Sequence, residues 1–336
     1  MRVLPPGLLY PVPLRTMAEQ FLDARQAALN GLFDDAAVFP PANRPMEDAL
    51  ASHRGHQGGD RGWLVNRFLI RASQAGELPE LLEDPDELQL GVVLDRTAGG
   101  TFAESVGADL ASITGLARDR RIRLTGLELS LDGDDAEGEV AGILAALQGA
   151  RFPENLTLAI EVPVSGRSAG EVLRGISAIA GARAPGGRYA DGLIAKVRCG
   201  GTVASAIPAD LEVAGFIRAC AKEQVPFKAT AGLHHPSRTT NEDHGGLEHG
   251  FLNVLAAATA AFQGERLDVV EDHLGRAGDQ FKLGPGAMIV GDDVVEGQTL
   301  AAVRAQFFRG IGCCDILDPI TDLAQMGVVT ATGGLS

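Results

Sequence analysis

The 336-residue sequence predicts an α/β protein, a (β/α)8 TIM barrel with an N-terminal capping helix. Three observations predict it. Short β-like runs alternate with stretches of helical periodicity along the chain, which implies a mostly parallel sheet with right-handed crossovers. Eight such units fit a single chain of this length. No Gly-x-Gly-x-x-Gly or Gly-x4-Gly-Lys-Ser/Thr segment marks the open nucleotide-binding sheet that would compete.

In chain order, a helix over about residues 14–30 caps the barrel bottom and leads into a first strand at 32–39. Pro40 and Pro41 close that strand, and Asp34 and Asp35 within it can reach the barrel mouth. Strands follow at 66–71, 88–95, 124–131, 156–163, 191–198 and 225–232, with Trp63 read as core packing beside the second. The eighth is placed at 286–291, on the weakest pattern. Between strands, Phe102, Val106, Leu110, Ile113 and Leu116 fall on one helical face, as do Val172, Leu173, Ile176 and Ile179, and then Leu211, Phe216 and Ile217. An Ala-rich helix over 250–262 and a last long helix over 300–308 complete the march, and 236–247 reads as an irregular loop. No linker or repeat interrupts it, so one domain is expected: cap segment 1–30, barrel 31–310, C-terminal tail 311–336.

Composition narrows the function. Asp plus Glu total 44 against 29 Lys plus Arg, a net charge of -15 that repels phosphate backbones, so no nucleic-acid partner is expected. No apolar run approaches the roughly 18 residues of a membrane-spanning helix, and four prolines in residues 1–14 make a poor signal peptide, so neither a membrane partner nor export is expected. Four cysteines without Cys-x-x-Cys spacing suit free thiols in a cytoplasmic protein.

Strand alternation then separates two faces. Leu127, Leu129 and Leu131, Leu158, Ile160 and Val162, and Leu193, Ala195 and Val197 form apolar sets that belong against the outer helices. The opposite sets carry Glu128 and Ser130, Glu161, Lys196 and Arg198, and Lys228 and Thr230, with Asp95 ending the third strand and Arg71 the second. These point inward near the strand C-termini, where barrel active sites lie. Burying such charges costs several kcal/mol each unless they pair. An internal salt-bridge network joining Glu128 and Glu161 to Lys196, Lys228 and Arg198 is one reading; a working pocket is favoured over it.

Lys196 lies in ADGLIAKVRCGG and Lys228 in VPFKATAGLHHP. On adjacent strands, roughly 4.8 Å apart, both amines enter one small volume. A neighbouring cation and partial burial lower a lysine pKa and make a Schiff-base nucleophile, whereas nearby carboxylates oppose the shift. The pair resembles the strand-six and strand-seven segments of deoxyribose-phosphate aldolases, class I aldolases on a TIM barrel. The resemblance implies Lys196 as the Schiff-base lysine and Lys228 as the second lysine. Glu128 in GLELSLD stands where the family has an Asp, and Glu161 in LAIEVPVSG matches its strand-five Glu. It spans about residues 124–235 and departs from the family at Ala231-Gly232-Leu233-His234-His235, where the family has Gly-Gly-Ile-Arg. The family's glycine-rich phosphate loops are not evident, and Arg198 replaces a small polar residue.

The expectation is a lyase that makes or breaks a C–C bond of a small anionic carbonyl metabolite, without a cofactor. Lys196 is the nucleophile, Lys228 depresses its pKa, and Glu128 transfers protons with Glu161 as rival. Arg198, Arg71, His234 and Asp95 bind substrate; copies of the same chain are the open alternative partner. The runner-up is a metal-dependent lyase or hydrolase in which His234, His235, His244 and His249, with Glu248, hold a divalent ion. Gly166-Arg167-Ser168-Ala169-Gly170 has the form of a nucleophile elbow, though the same residues make an ordinary helix start. A metabolite-sensing barrel would use the same inward charges. Cys313 and Cys314 read as a buried loop pair rather than a nucleophile.

Overall fold

Leucine alternation on the central strands does what periodicity two demands: Leu127, Leu129, Leu158, Ile160, Leu193 and Val197 are each at most 1% exposed. In the computed structural model, which describes residues 22–84, 86–96, 99–133, 135–150, 152–153 and 155–336, these strands close into a barrel. The strands in chain order are β1 (Phe33–Asp35), β2 (Val65–Arg71), β3 (Leu88–Val93), β4 (Ile122–Ser130), β5 (Thr157–Glu161), β6 (Leu193–Arg198) and β7 (Phe227–Thr230). The hairpin β8 (Thr239–Thr240) and β9 (Leu247–Glu248) follows, then β10 (Phe281–Leu283), β11 (Ala287–Val290), β12 (Asp293–Glu296) and β13 (Phe308–Cys313). The order around the barrel is β1-β13-β7-β6-β5-β4-β3-β2, all pairs parallel. The fold is a (β/α)8 barrel.

Helices α1 (Ala24–Leu29), α2 (Met46–Gln57), α3 (Leu78–Leu81), α4 (Phe102–Ile113), α5 (Ala136–Gly149), α6 (Ala169–Ala182), α7 (Asp210–Lys222), α8 (Phe251–Phe262), α9 (Leu267–Gly275), α10 (Gly297–Gln306) and α11 (Leu317–Gln325) lie between and after the strands. Local chemistry starts several of them. Thr101 and Glu104 form a reciprocal capping box at α4, and Ser168 and Glu171 another at α6, while the Asp135 side chain caps α5. The Ser168 hydroxyl donates to Glu171 at 2.6 Å, so the elbow-like segment is a helix start. The helix expected over 14–30 is described only from residue 22, as α1; residues 14–21 lie outside the described part. Leu211, expected on the buried face of α7, is 53% exposed.

The eighth barrel strand is a correction. It is β13, at 308–313, not 286–291, and the boundary expected at residue 310 cuts through it. The 286–291 run is instead the middle of a three-stranded antiparallel sheet, β10-β11-β12, with Met288 and Val290 buried and Ile289 exposed. Such half-wet alternation suits an antiparallel sheet better than a barrel strand covered on both faces. Two glycines hid β13. Gly312 pairs with Asp34 on one side and Thr230 on the other, and a Cβ there would meet Thr230 Oγ1 at 2.8 Å. The residues assigned to a C-terminal tail also fold back, where the Trp63 indole donates to the Gly333 carbonyl at 2.8 Å.

Because Gly312 leaves interior space that its neighbours already fill, Gly312→Val overpacks the barrel. It should cost about 1–3 kcal/mol, read from urea denaturation. An unchanged midpoint would show that the interior at this level is loosely packed.

Candidate active site

The interior charges form one line of alternating sign. Arg67 Nε lies 3.3 Å from Asp34, Asp34 is 2.5 Å from Lys228 Nζ, and Lys228 is 2.5 Å from Glu128. Glu128 accepts from Lys196 Nζ at 3.0 Å through its other oxygen. Lys196 then meets Glu161 at 3.0 Å, and Glu161 meets Arg198 Nε at 3.6 Å. Register explains the meetings. Lys196 is directly opposite Lys228 on β7 and Glu161 on β5. Glu128 is opposite Ala159, whose small side chain lets the carboxylate pass β5 to reach β6 and β7. A Cβ on Gly126 or Gly91 would collide with Arg67, so those glycines make room for its side chain. Asp35, one residue on, takes the opposite direction and pairs with His53 at 3.0 Å.

The internal network, weighed from the sequence as the less favoured reading, is present, and Asp34, named only as a residue able to reach the mouth, is a full member. Asp34, Glu128, Lys196 and Lys228 are each 4% exposed. Burial alone would raise the Glu128 carboxyl, but both ammonium groups outweigh it and hold it at about 2. Burial raises and Lys196 with Arg198 lowers the Glu161 carboxyl, which ends below its ordinary value. Lys196 corrects an expectation. Burial pulls its pKa down, yet Glu128 and Glu161 overcome that and raise it above its ordinary value, so the facing Lys228 does not leave it depressed.

A cavity of about 620 Å³ opens above the network, lined by Lys196, Glu128, Arg71, Arg198, His234 and Cys314 among others. Arg71 stacks its guanidinium over Phe39 at 4.7 Å and has no carboxylate partner among the described residues. The loops after β6 and β7 touch at Gly200 and Gly232, where a Cβ on Gly200 would lie 2.8 Å from Gly232 Cα. Ala231 adopts φ +62° beside that contact, an uncommon conformation for a residue with a Cβ. Lys228 does not line this cavity; it borders one of about 320 Å³ at the opposite end of the strands.

The remaining candidates disperse. Asp95, expected at the substrate, lies outside this cavity and accepts from Ser73 Oγ at 2.5 Å. The four histidines do not converge on one ligand set. His234 Nδ1 pairs with Asp318 at 2.8 Å, His235 with Asp322 at 2.7 Å, and His244 with Glu248 at 3.5 Å. His249 Nε2 donates to the Pro208 carbonyl at 2.8 Å. Among the described residues no group of three or more His, Cys, Asp or Glu side chains is arranged to hold a metal ion. Sequence reasoning set Cys314 aside as half of a buried loop pair and did not name Asp318. The Cys314 thiol is 3.2 Å from His234 Nε2, the nitrogen opposite the one Asp318 holds. A cysteine ending a strand beside a histidine ending its neighbour was the available signal, hidden while β13 was misplaced.

Removing Glu128 breaks the alternation and leaves each buried ammonium one carboxylate, Asp34 for Lys228 and Glu161 for Lys196, so Glu128→Ala should destabilise the fold by about 3 kcal/mol in urea denaturation. Acid should act on the same group. Its carboxyl falls from an ordinary 4.5 to about 2 on folding, so its contribution is complete above pH 4.5 and is lost as pH falls toward 2. Glu128→Gln should flatten the stability loss in that window; an acid transition identical to wild type would remove Glu128 as its source.

No family model and no curated protein sequence matches the chain. Solved structures do match, among them a tetrameric deoxyribose phosphate aldolase from Aeropyrum pernix, at 12% identity and a TM-score of 0.41. That match covers 64% of this chain and 86% of the aldolase. The barrel assignment rests on the strand pairing itself, and no helix among the described residues is long and apolar enough to cross a membrane.

Proposed function

We propose that the chain is a lyase that forms or breaks a C–C bond next to a carbonyl, through an imine on Lys196. The observation that carries this reading is positional. Of the two facing lysines, Lys196 alone borders the cavity at the strand C-termini, with a carboxylate 3.0 Å away on either side. Chemistry needs those carboxylates. The resting amine is an ammonium, so imine formation requires a neighbour to take its proton before nitrogen attacks a carbonyl carbon. Glu128, which lines the cavity, takes that proton and returns it as the carbinolamine loses water. The iminium then accepts the electron pair of the breaking C–C bond. Glu161 is the alternative acceptor, and Lys228 shares the charge of Glu128 so that it does not fall wholly on Lys196. Arg71 and Arg198 supply cations for a carboxylate or other anionic end of the substrate, Arg198 being half exposed at the rim. No cofactor is required by this scheme.

Borohydride tests it, because it reduces an imine to a stable secondary amine. With a panel of small aldehydes, ketones and 2-oxo acids, one adduct should form and map to Lys196, in chelator-treated protein as in untreated. Trapping should climb about tenfold per pH unit through the neutral range, since the amine titrates above it. Lys196→Ala should abolish trapping. Lys228→Ala should weaken it severalfold, because the whole Glu128 charge then favours the Lys196 ammonium. No adduct with any carbonyl, on folded protein, would overturn the proposal; an adduct on Lys228 would reverse the two roles.

A further inference from the structure

We propose that Cys314, His234 and Asp318 form a second nucleophilic centre in the same cavity, one that accepts an acyl group from an anionic ester or thioester. The inference does not rest on the imine reading. Cys314 follows β13 and His234 follows β7, and these strands are paired in the barrel, so both side chains emerge at the same end. Asp318, in the first turn of α11, completes the line: Sγ to Nε2 at 3.2 Å, then Nδ1 to Oδ2 at 2.8 Å. All three residues line the cavity. Asp322, one turn further along α11, holds the adjacent His235, so two carboxylates fix two consecutive histidines and leave the His234 ring one orientation.

The other thiols differ. Cys199 and Cys220 are fully buried, and Cys313 points to the Asp315 carbonyl at 3.0 Å. Only Cys314 among the four lines the cavity. Burial opposes charge on His234, but its bonds to Asp318 and Cys314 outweigh burial and lift it to about 10, so an imidazolium faces the thiol at neutral pH. A cation beside a thiol favours the thiolate, which is the nucleophilic form. In the step itself, the thiolate sulfur bonds to the acyl carbon while the bond from that carbon to the alcohol or thiol leaving group breaks. The leaving group takes the Nε2 proton. Water, losing a proton to Nε2, then displaces sulfur and releases the acid, so the net change is hydrolysis. Asp318 is a positioning residue that keeps Nε2 aimed at sulfur. Arg71 and Arg198, lining the same cavity, favour an acyl group with a second negative charge.

Two measurements test this. Wild-type protein is alkylated with iodoacetamide between about pH 6 and pH 8, a range in which an ordinary free thiol gains roughly tenfold per unit. Peptide mapping should show Cys314 labelled at least tenfold faster at the acid end than such a thiol. His234→Gln should restore the ordinary pH dependence, and Asp318→Asn should move it part of the way. Mono-p-nitrophenyl succinate should release one equivalent of p-nitrophenol in a burst and leave a succinyl group on Cys314, and Cys314→Ser should lose both. An unlabelled Cys314, a thiol-like profile unchanged in His234→Gln, or a burst that survives Cys314→Ser would overturn the proposal. Borohydride trapping on the same Cys314→Ser protein reads the imine separately: trapping retained with the burst lost supports both centres. No trapping on wild type beside a normal burst removes the imine alone.

Discussion

Glu128 accepting both lysine ammonium groups is the contact on which the barrel interior depends. Its two oxygens are divided between Lys228 and Lys196, and each lysine passes the alternation on, to Asp34 and Arg67 on one side and to Glu161 and Arg198 on the other. A single buried charge would cost several kcal/mol, and a lone pair is close to neutral in net effect. An alternating line of charges lowers that cost at every member, because each is flanked by opposite sign. The surrounding small residues follow from it: Ala159, Gly126 and Gly91 vacate the space the charged chains cross.

The same contact divides the interior. Glu128 borders both the cavity at the strand C-termini and the smaller one at the opposite end, whereas Lys196 faces only the first and Lys228 only the second. Two lysines that look equivalent by strand register are therefore inequivalent in access. The electrostatics also differ from those of a cation-activated lysine. Here the carboxylates dominate and hold the Lys196 pKa above its ordinary value, so the imine proposal relies on proton transfer within the network rather than on a standing depression of the pKa.

The rim is built by a different device. α11 presents Asp318 and Asp322 one turn apart, and they hold His234 and His235, which follow β7 in sequence. Each of these consecutive side chains thus has its own carboxylate. The chain beyond α11 folds back to the barrel base through Trp63 and Gly333, and Arg25 donates to the Ser336 carbonyl at 2.6 Å, which ties α1 into that contact. The segment after the last strand thus contributes to both the cavity rim and the closure below.

Local sequence determined much of this protein. Alternation placed seven of the eight barrel strands, the capping pattern at Ser168 marked a helix start, and strand parity put Glu128, Glu161, Lys196 and Lys228 on the inner face. Those properties follow from residues within a few positions of each other. Tertiary structure decided the rest. β13 carries little β-propensity of its own, because Gly310 and Gly312 are selected by what lies across the barrel, and only closure against β1 and β7 makes it a strand. The sign of the Lys196 shift required distances to two carboxylates on other strands, since electrostatic energy depends on separation that spacing along a chain does not encode. Likewise Cys314 meets His234 across 80 residues of sequence, a contact that exists only because the barrel sets their two strands side by side.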